Sequence, residues 1–242
     1  VGRAAAAKGG DGGGLPLIQL VYSLHAEEFL SAFAPLLPEG SARAELLAWD
    51  LRYDVDSMGA GLFEDFYAEV RQAIFGGDGL GGEVFAHLVS QTGIFNDFYE
   101  RFDRILLDWS SAWWEGKNPG EVAAYALAVA GERPRVRWGD RNKMQVPHLL
   151  FGGKLPSFLG FDAPEVELPG GRATPHQGQL FQSDGRQTSF APSVRIMADM
   201  GEAVLYTNLP GGPSDRRFSE HYASGWKRWR AGTYKRLGRS DE

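Results

Sequence analysis

The run Ser193-Val194-Arg195-Ile196-Met197-Ala198-Asp199-Met200 sets the reading of the chain. Val194, Ile196, Ala198 and Met200 alternate with Ser193, Arg195, Met197 and Asp199, the period of two expected of a half-buried strand. Gly201 permits a turn, and Glu202-Ala203-Val204-Leu205-Tyr206-Thr207-Asn208 reads as a strand returning beside the first. The loop Leu209-Pro210-Gly211-Gly212-Pro213-Ser214 is too rich in Gly and Pro for regular structure. From Ser219 to Gly232 the spacing predicts a final helix. Ser219 is its candidate N-cap, and Tyr222, Trp226 and Trp229 share one face.

Working outward, the chain before residue 133 is helical in pattern. Residues 1–14 are low-complexity Ala and Gly, which bury too little apolar surface to offset their ordering entropy, and are expected to be flexible. Helical spacing follows over Leu15–Leu37 and Ser41–Trp49. The clearest amphipathic helix spans Ser57–Phe75, with a stripe of Leu62, Phe63, Phe66, Tyr67, Val70 and Ile74. Glu83–Val89 and Ile94–Asp108 continue the series; Phe95, Phe98, Phe102 and Ile105 give the latter a buried face. Asn118-Pro119 caps Gly120–Ala130, where Val122, Tyr125, Ala126 and Val129 form the apolar side.

From Arg133 onward Pro and Gly become frequent, with short β-prone runs at Arg135–Trp138 and Glu165–Leu168. Phe151–Pro164 reads as a long surface loop. Helices followed by antiparallel strands imply the α+β class, with a flexible segment at 1–14, a helical region at 15–132 and a strand-rich region with a C-terminal helix at 133–242.

The totals narrow the chemistry. The 242 residues are 43% hydrophobic, enough for a core. There is no cysteine, so disulfides, thiolate catalysis and cysteine-bound metal are excluded. A net charge of −6 disfavours a nucleic-acid binder as a class. No apolar run approaches the ~20 residues of a membrane span. The first residues lack the charged-then-apolar layout of a signal peptide.

Candidate motifs mostly have structural readings. Gly77-Asp78-Gly79-Leu80-Gly81-Gly82 fits G-x-G-x-x-G, but a helix and not a strand precedes it, so it reads as a loop. A serine triad lacks its G-x-S-x-G elbow. His25 and His87 read as packed or surface helix residues, and His148 as structural. His221 falls in the first turn of the last helix and reads as a hydrogen-bonding group. Asp50, Asp54 and Asp56 lack EF-hand spacing and read as helix-start carboxylates. The basic tail, with Lys227, Arg228 and Arg230 around Trp226 and Trp229, suits a terminal helix with tryptophans inward and cations outward; it also has the composition of a nucleic-acid contact. No metal ligand set and no cofactor are expected.

The order of the C-terminal elements resembles the end of the penicillin acylase (penicillin amidase) family. Ser193-Val194-Arg195-Ile196 with Asp199, then Gly211-Gly212-Pro213-Ser214, then Ser219-Glu220-His221-Tyr222 and Trp229-Arg230-Ala231-Gly232-Thr233-Tyr234 stand in the family's order. Upstream, Trp138-Gly139-Asp140 with Pro147-His148, and Leu47-Ala48-Trp49-Asp50 with Tyr53, Asp54 and Ser57, resemble further family motifs. Gly170-Gly171-Arg172-Ala173-Thr174-Pro175-His176-Gln177-Gly178 is similar to a family strand that approaches the active cleft. Thr174 matches directly, and Pro175 and His176 replace the usual residues. The resemblance thus marks Thr174 and His176 as candidate substrate-side residues on an edge or distorted strand.

The resemblance implies an αββα sandwich and an N-terminal-nucleophile hydrolase, in which a processed serine is activated by its own α-amine. This chain begins with Val1 and matches the last part of a β chain, so the nucleophile, the oxyanion-hole asparagine and the calcium ligands are expected to lie upstream of it. No catalytic residue is therefore assigned, and the chain alone is expected to be inactive. The implied substrate is an N-acyl amide of the β-lactam or acyl-homoserine-lactone type. The expected partner is the upstream portion, meaning the α chain and the N-terminal part of the β chain, or a second copy. Neither nucleic acid nor membrane is expected as a partner. The family setting would be periplasmic or secreted, while the sequence itself leaves the compartment open. Two alternatives stand beside this reading: a non-catalytic binding or structural remnant of the family, and a basic-tailed nucleic-acid binder.

Overall fold

A computed structural model of the chain describes residues 20–148, 150–178 and 191–238. The expectation for residues 1–14 lies outside them. The chain divides into two units, one of residues 21–144 and 167–190, the other of 1–20, 145–166 and 191–242.

The first unit is helical. Its elements run α1 (Leu24–Phe33), α2 (Ser41–Ala48), α3 (Gly59–Phe75), α4 (Gly82–Gln91), α5 (Ile94–Asp97), α6 (Tyr99–Leu106), α7 (Pro119–Glu132) and α8 (Trp138–Arg141). Local chemistry fixes two of the starts. Ser23 Oγ accepts from the Ala26 amide, and Asn118 Oδ1 accepts from Gly120 and Glu121 ahead of Pro119. Such caps stabilise a helix by about 1 kcal/mol each.

The long helix α3 is the centre of this unit. Its predicted stripe is buried throughout: Leu62, Phe63, Phe66, Tyr67, Val70 and Ile74 are at most 1% exposed. Phe29 and Phe33 of α1 close on it, Phe29 meeting Phe63, Phe66 and Tyr67 edge-on. Fully burying each such ring contributes roughly 1.5–3 kcal/mol. After α3 a π-helical turn spans Gly76–Leu80, with Gly77 at φ +35, a conformation glycine adopts without a Cβ penalty. The G-x-G-x-x-G string is therefore a turn between two helices.

Three sequence expectations change here. α7 buries Ala123, Ala126, Leu127 and Ala130, while Tyr125 is 61% exposed. The largest apolar side chains had pointed to a neighbouring face; small alanines let α7 pack closely along α3 instead. The single helix expected over Ile94–Asp108 breaks at Phe98, whose φ −119 and ψ 27 are not helical, and Phe98 is 53% exposed. The β-prone run Arg135–Trp138 forms no strand, because Trp138 opens α8 with its amide bound to the Ser57 carbonyl.

Two small sheets make the protein α+β, as expected. β1 (Lys143–Met144) pairs with β2 (Val166–Glu167). In the second unit β3 (Arg195–Asp199), β4 (Val204–Asn208) and β5 (Lys235–Gly238) form an antiparallel sheet in that order. The register places Arg195 opposite Asn208, Ile196 opposite Thr207 and Leu205 opposite Leu237. β5 was not foreseen. The final helix is shorter than the spacing predicts: α9 spans only Trp226–Ala231, and residues 219–225 form turns. Ser219 Oγ accepts from the His221 amide within such a turn, so it closes a local loop without capping the helix. His221 therefore lies outside the helix and is exposed beside Glu220.

The alternation in β3 is real, but the buried side is the other one. Arg195 is 5% exposed, whereas Val194, Ile196 and Met200 are 51%, 56% and 88% exposed. Arg195 is buried because α9 covers its face. Its Nη1 donates to the Trp229 carbonyl at 3.0 Å, and its guanidinium lies 5.0 Å from the Trp229 ring. Trp229 Nε1 in turn donates to Pro192 O at 2.7 Å, and Trp226 stacks on Trp229. Lys227, Arg228 and Arg230 face outward.

Candidate functional site

Three separated motifs meet in the helical unit. Trp49 Nε1 donates to Ser57 Oγ at 3.0 Å, and the Tyr53 ring sits edge-on against Trp138 at 4.8 Å. The Gly170 amide donates to the Tyr53 carbonyl, and Trp138 Nε1 and Asn142 Nδ2 donate to the Gly170 carbonyl. Residues 170–178 form no strand, contrary to expectation. They close as a tight loop, with Gly170 at φ +87. Pro175 removes a ladder donor, and the loop bonds partly within itself, Gly178 N donating to the Gly171 carbonyl and Gln177 Nε2 to the Arg172 carbonyl.

Thr174 and His176 are both buried, each 6% exposed. Thr174 Oγ1 accepts from the Gly171 amide at 2.9 Å and lies 2.5 Å from the His176 carbonyl, to which it donates. The Thr174 hydroxyl therefore closes the loop. This closure holds Arg172 pointing into the helical core.

Arg172 is the residue the sequence reading left aside. Its Nη2 donates to Glu64 Oε2, and its Nε donates to Asn96 Oδ1 at 3.3 Å. Both members of the Arg172–Glu64 pair are buried, with side chains 5% and 6% exposed. Glu64 Oε1 accepts from Tyr53 Oη at 2.8 Å. The neighbouring Tyr67 donates to Asp103 Oδ1 at 2.6 Å, and Asp103 Oδ2 pairs with His25 Nε2 at 2.7 Å. The Arg172 and Arg71 guanidinium groups lie 5.0 and 4.6 Å from the Tyr67 ring.

The charges in this network are fixed by their surroundings. Burial pushes the Glu64 carboxyl up, but Arg172, Tyr53 and Arg71 outweigh it and hold it below the usual carboxylate range. Burial and the Glu64 charge keep the Tyr53 phenol well above its ordinary value, and burial with Asp103 does the same for Tyr67. Both tyrosines are therefore neutral donors. Burial lowers Arg172, and Glu64 with the two tyrosines reverses that and raises it. Burial dominates at Arg71 and lowers it, although an arginine remains charged.

Arg141 and Arg133 both donate to Asp65, and Arg133 also reaches Glu69. Asp65, Arg133 and Arg141 line a cavity of about 130 Å³ together with Glu64, Arg71 and Arg172. A signal for the network stood in α3: Glu64 and Arg71 recur at helical spacing with Tyr67 of the apolar stripe. Buried polar groups on one face of a core helix need partners, and Glu64 finds Arg172 while Tyr67 finds Asp103, residues that no local pattern connects to α3.

Other candidates resolve structurally. His25 contacts Asp103 and four aromatic rings, and no serine hydroxyl lies on it among these contacts. His148 Nδ1 accepts from the Leu150 and Phe151 amides, and Asp162 accepts from the His148 and Gly153 amides. Asp54 pairs with Arg52 and Asp56 with Arg137, so these carboxylates meet arginines before α3 begins at Gly59.

The motifs that converge here belong to a known family. A family model described as penicillin amidase matches residues 17–242. The chain belongs to the penicillin amidase family. This is an amidohydrolase family of acylase-like enzymes. No curated protein matches the chain.

Proposed function

We propose that this chain is the C-terminal segment of an N-terminal-nucleophile amidohydrolase acting on N-acyl amides of the β-lactam or acyl-homoserine-lactone type. The match over residues 17–242 carries this reading. In it the nucleophile comes from an upstream portion of the precursor, and this chain supplies supporting structure. The buried hydroxyls are consistent with such a role: Ser23 caps α1, and Thr174 closes the 170–178 loop. Ser23 Oγ accepts from a backbone amide and Thr174 Oγ1 donates to a backbone carbonyl, neither of which is a base that would activate a hydroxyl. Thr174 and His176 act on the substrate side through the loop they shape, by setting Arg172.

The exposed face of the β3–β4–β5 sheet supports a partner. Val194, Ile196, Met200 and Leu237 give it an apolar surface, and such contiguous surfaces mark association sites. In this reading the upstream portion, or a second copy, covers it. Incubation with a chromogenic phenylacetyl amide tests the function. No turnover is expected from the chain alone, and turnover is expected when the upstream portion is co-expressed. Failure of the co-expressed pair to cleave any N-acyl amide would remove the substrate class. A binding remnant without catalytic role is the second reading, favoured by the same commitment of the hydroxyls.

A further inference from the structure

The cavity beside α3 holds more positive charge than its carboxylates neutralise. Arg172 is matched by Glu64, and Arg133 and Arg141 by Asp65 and Glu69. Arg71 has no carboxylate of its own. Glu64 and Asp103 act on it only through space, and both are already engaged, by Arg172 and Tyr53 and by Tyr67 and His25.

Arg71 is 8% exposed. Tyr67 and Phe95 flank its guanidinium, at 4.6 and 5.4 Å from the ring centroids. Its Nε is buried without a hydrogen-bond partner, and no described carboxylate, carbonyl or hydroxyl accepts from the rest of its guanidinium. Arg172 Nη1 is likewise buried without an acceptor. Both arginines line the same cavity of about 130 Å³, which Asn96 and Thr92 also border. Arg133, which also lines it, has a side chain 40% exposed.

Leaving guanidinium donors unmatched in a buried site costs free energy, and each finds an acceptor where one fits. A cavity of this size has room for several waters or for one small oxyanion. Arginine forks favour carboxylate and phosphate oxygens, and aromatic walls hold the fork in place. We infer that the cavity lined by Arg71 and Arg172 is a binding site for a small oxyanion, a carboxylate or a phosphate. Arg71 supplies a guanidinium to which no carboxylate is hydrogen-bonded, and Arg172 adds a second donor while remaining paired with Glu64. The site shares Arg172 with the amide-hydrolysis reading, but its argument rests on the cavity and its test reads anion binding and not turnover.

The test is thermal unfolding of the full chain in sodium phosphate, sodium acetate and sodium chloride at matched ionic strength. A saturable rise in melting temperature is expected with phosphate or acetate and not with chloride. The arm that gives the tighter response identifies the oxyanion. Arg71→Met removes the charge, and Val89→Phe fills the cavity while leaving all four arginines. Either variant should weaken the response by about tenfold or more, Arg71→Met through the loss of one charge-assisted contact and Val89→Phe through the loss of the space the anion needs. Arg101→Met, at an exposed position of α6, should keep it. Should Arg71→Met fail to fold, the Val89→Phe variant and the ¹⁵N shift of the Arg71 guanidinium during phosphate titration decide the matter. Equal melting temperatures in all three salts, or an undiminished response in both cavity variants, would overturn the site.

Discussion

Arg172 and Glu64 meet as a buried ion pair across 108 positions of sequence. Removing one partner leaves an uncompensated charge in the core, which costs about 3–5 kcal/mol. Arg172→Met and Glu64→Gln should each lower the urea unfolding free energy by amounts of that order. The double variant Glu64→Leu/Arg172→Met should lose much less than the sum. Additive losses would show that the two side chains do not act as a unit.

The same pair sets a pH dependence. Glu64 has a folded-state value below its ordinary 4.5, so its contribution to stability is fully present above that value. It is lost as pH falls through 4.5 and then through the lower folded value. Urea midpoints measured from pH 7 to pH 3 should therefore fall more steeply for the parent chain than for Glu64→Gln. Parallel curves would contradict the ionised, paired carboxylate.

Gly170 holds the loop that carries Arg172. At φ +87 a side chain is strained, and a Cβ there would collide with the His176 carbonyl oxygen. Gly170→Ala is expected to cost at least about 1–2 kcal/mol from the left-handed backbone alone. It should also loosen Arg172, so it should weaken the phosphate or acetate response along with stability. Thermal unfolding with and without the anion checks both effects.

The helical core was legible in the sequence because α3 repeats its apolar residues at a helical period from Leu62 to Ile74, about three turns. Every member of its stripe is buried. The strand pair was legible too, but its orientation was not. Alternation fixes which residues share a face without saying which face is covered, and Arg195 took the covered side because α9 offers it a carbonyl and a tryptophan ring. The site was the least legible part. Thr174 and His176 stood out by resemblance, yet the group they hold in place is Arg172, whose partners Glu64 and Asn96 lie far away in sequence.

The exposed sheet face gives a separate expectation. Ile196→Lys and Met200→Lys place charges where Val194, Ile196 and Met200 form an apolar strip. Light scattering should find less self-association, or less capture of the co-expressed upstream portion, in the double variant. Unchanged association would place the partner elsewhere.

Supporting structure without a reactive hydroxyl is the centre of this account, and covalent labelling reads it directly. The folded chain is exposed to a serine-directed sulfonyl fluoride and its intact mass is measured. The account predicts an unmodified mass for this chain and an adduct only on the upstream portion when both are present. A stoichiometric adduct on this chain, lost when it is unfolded first, would contradict it.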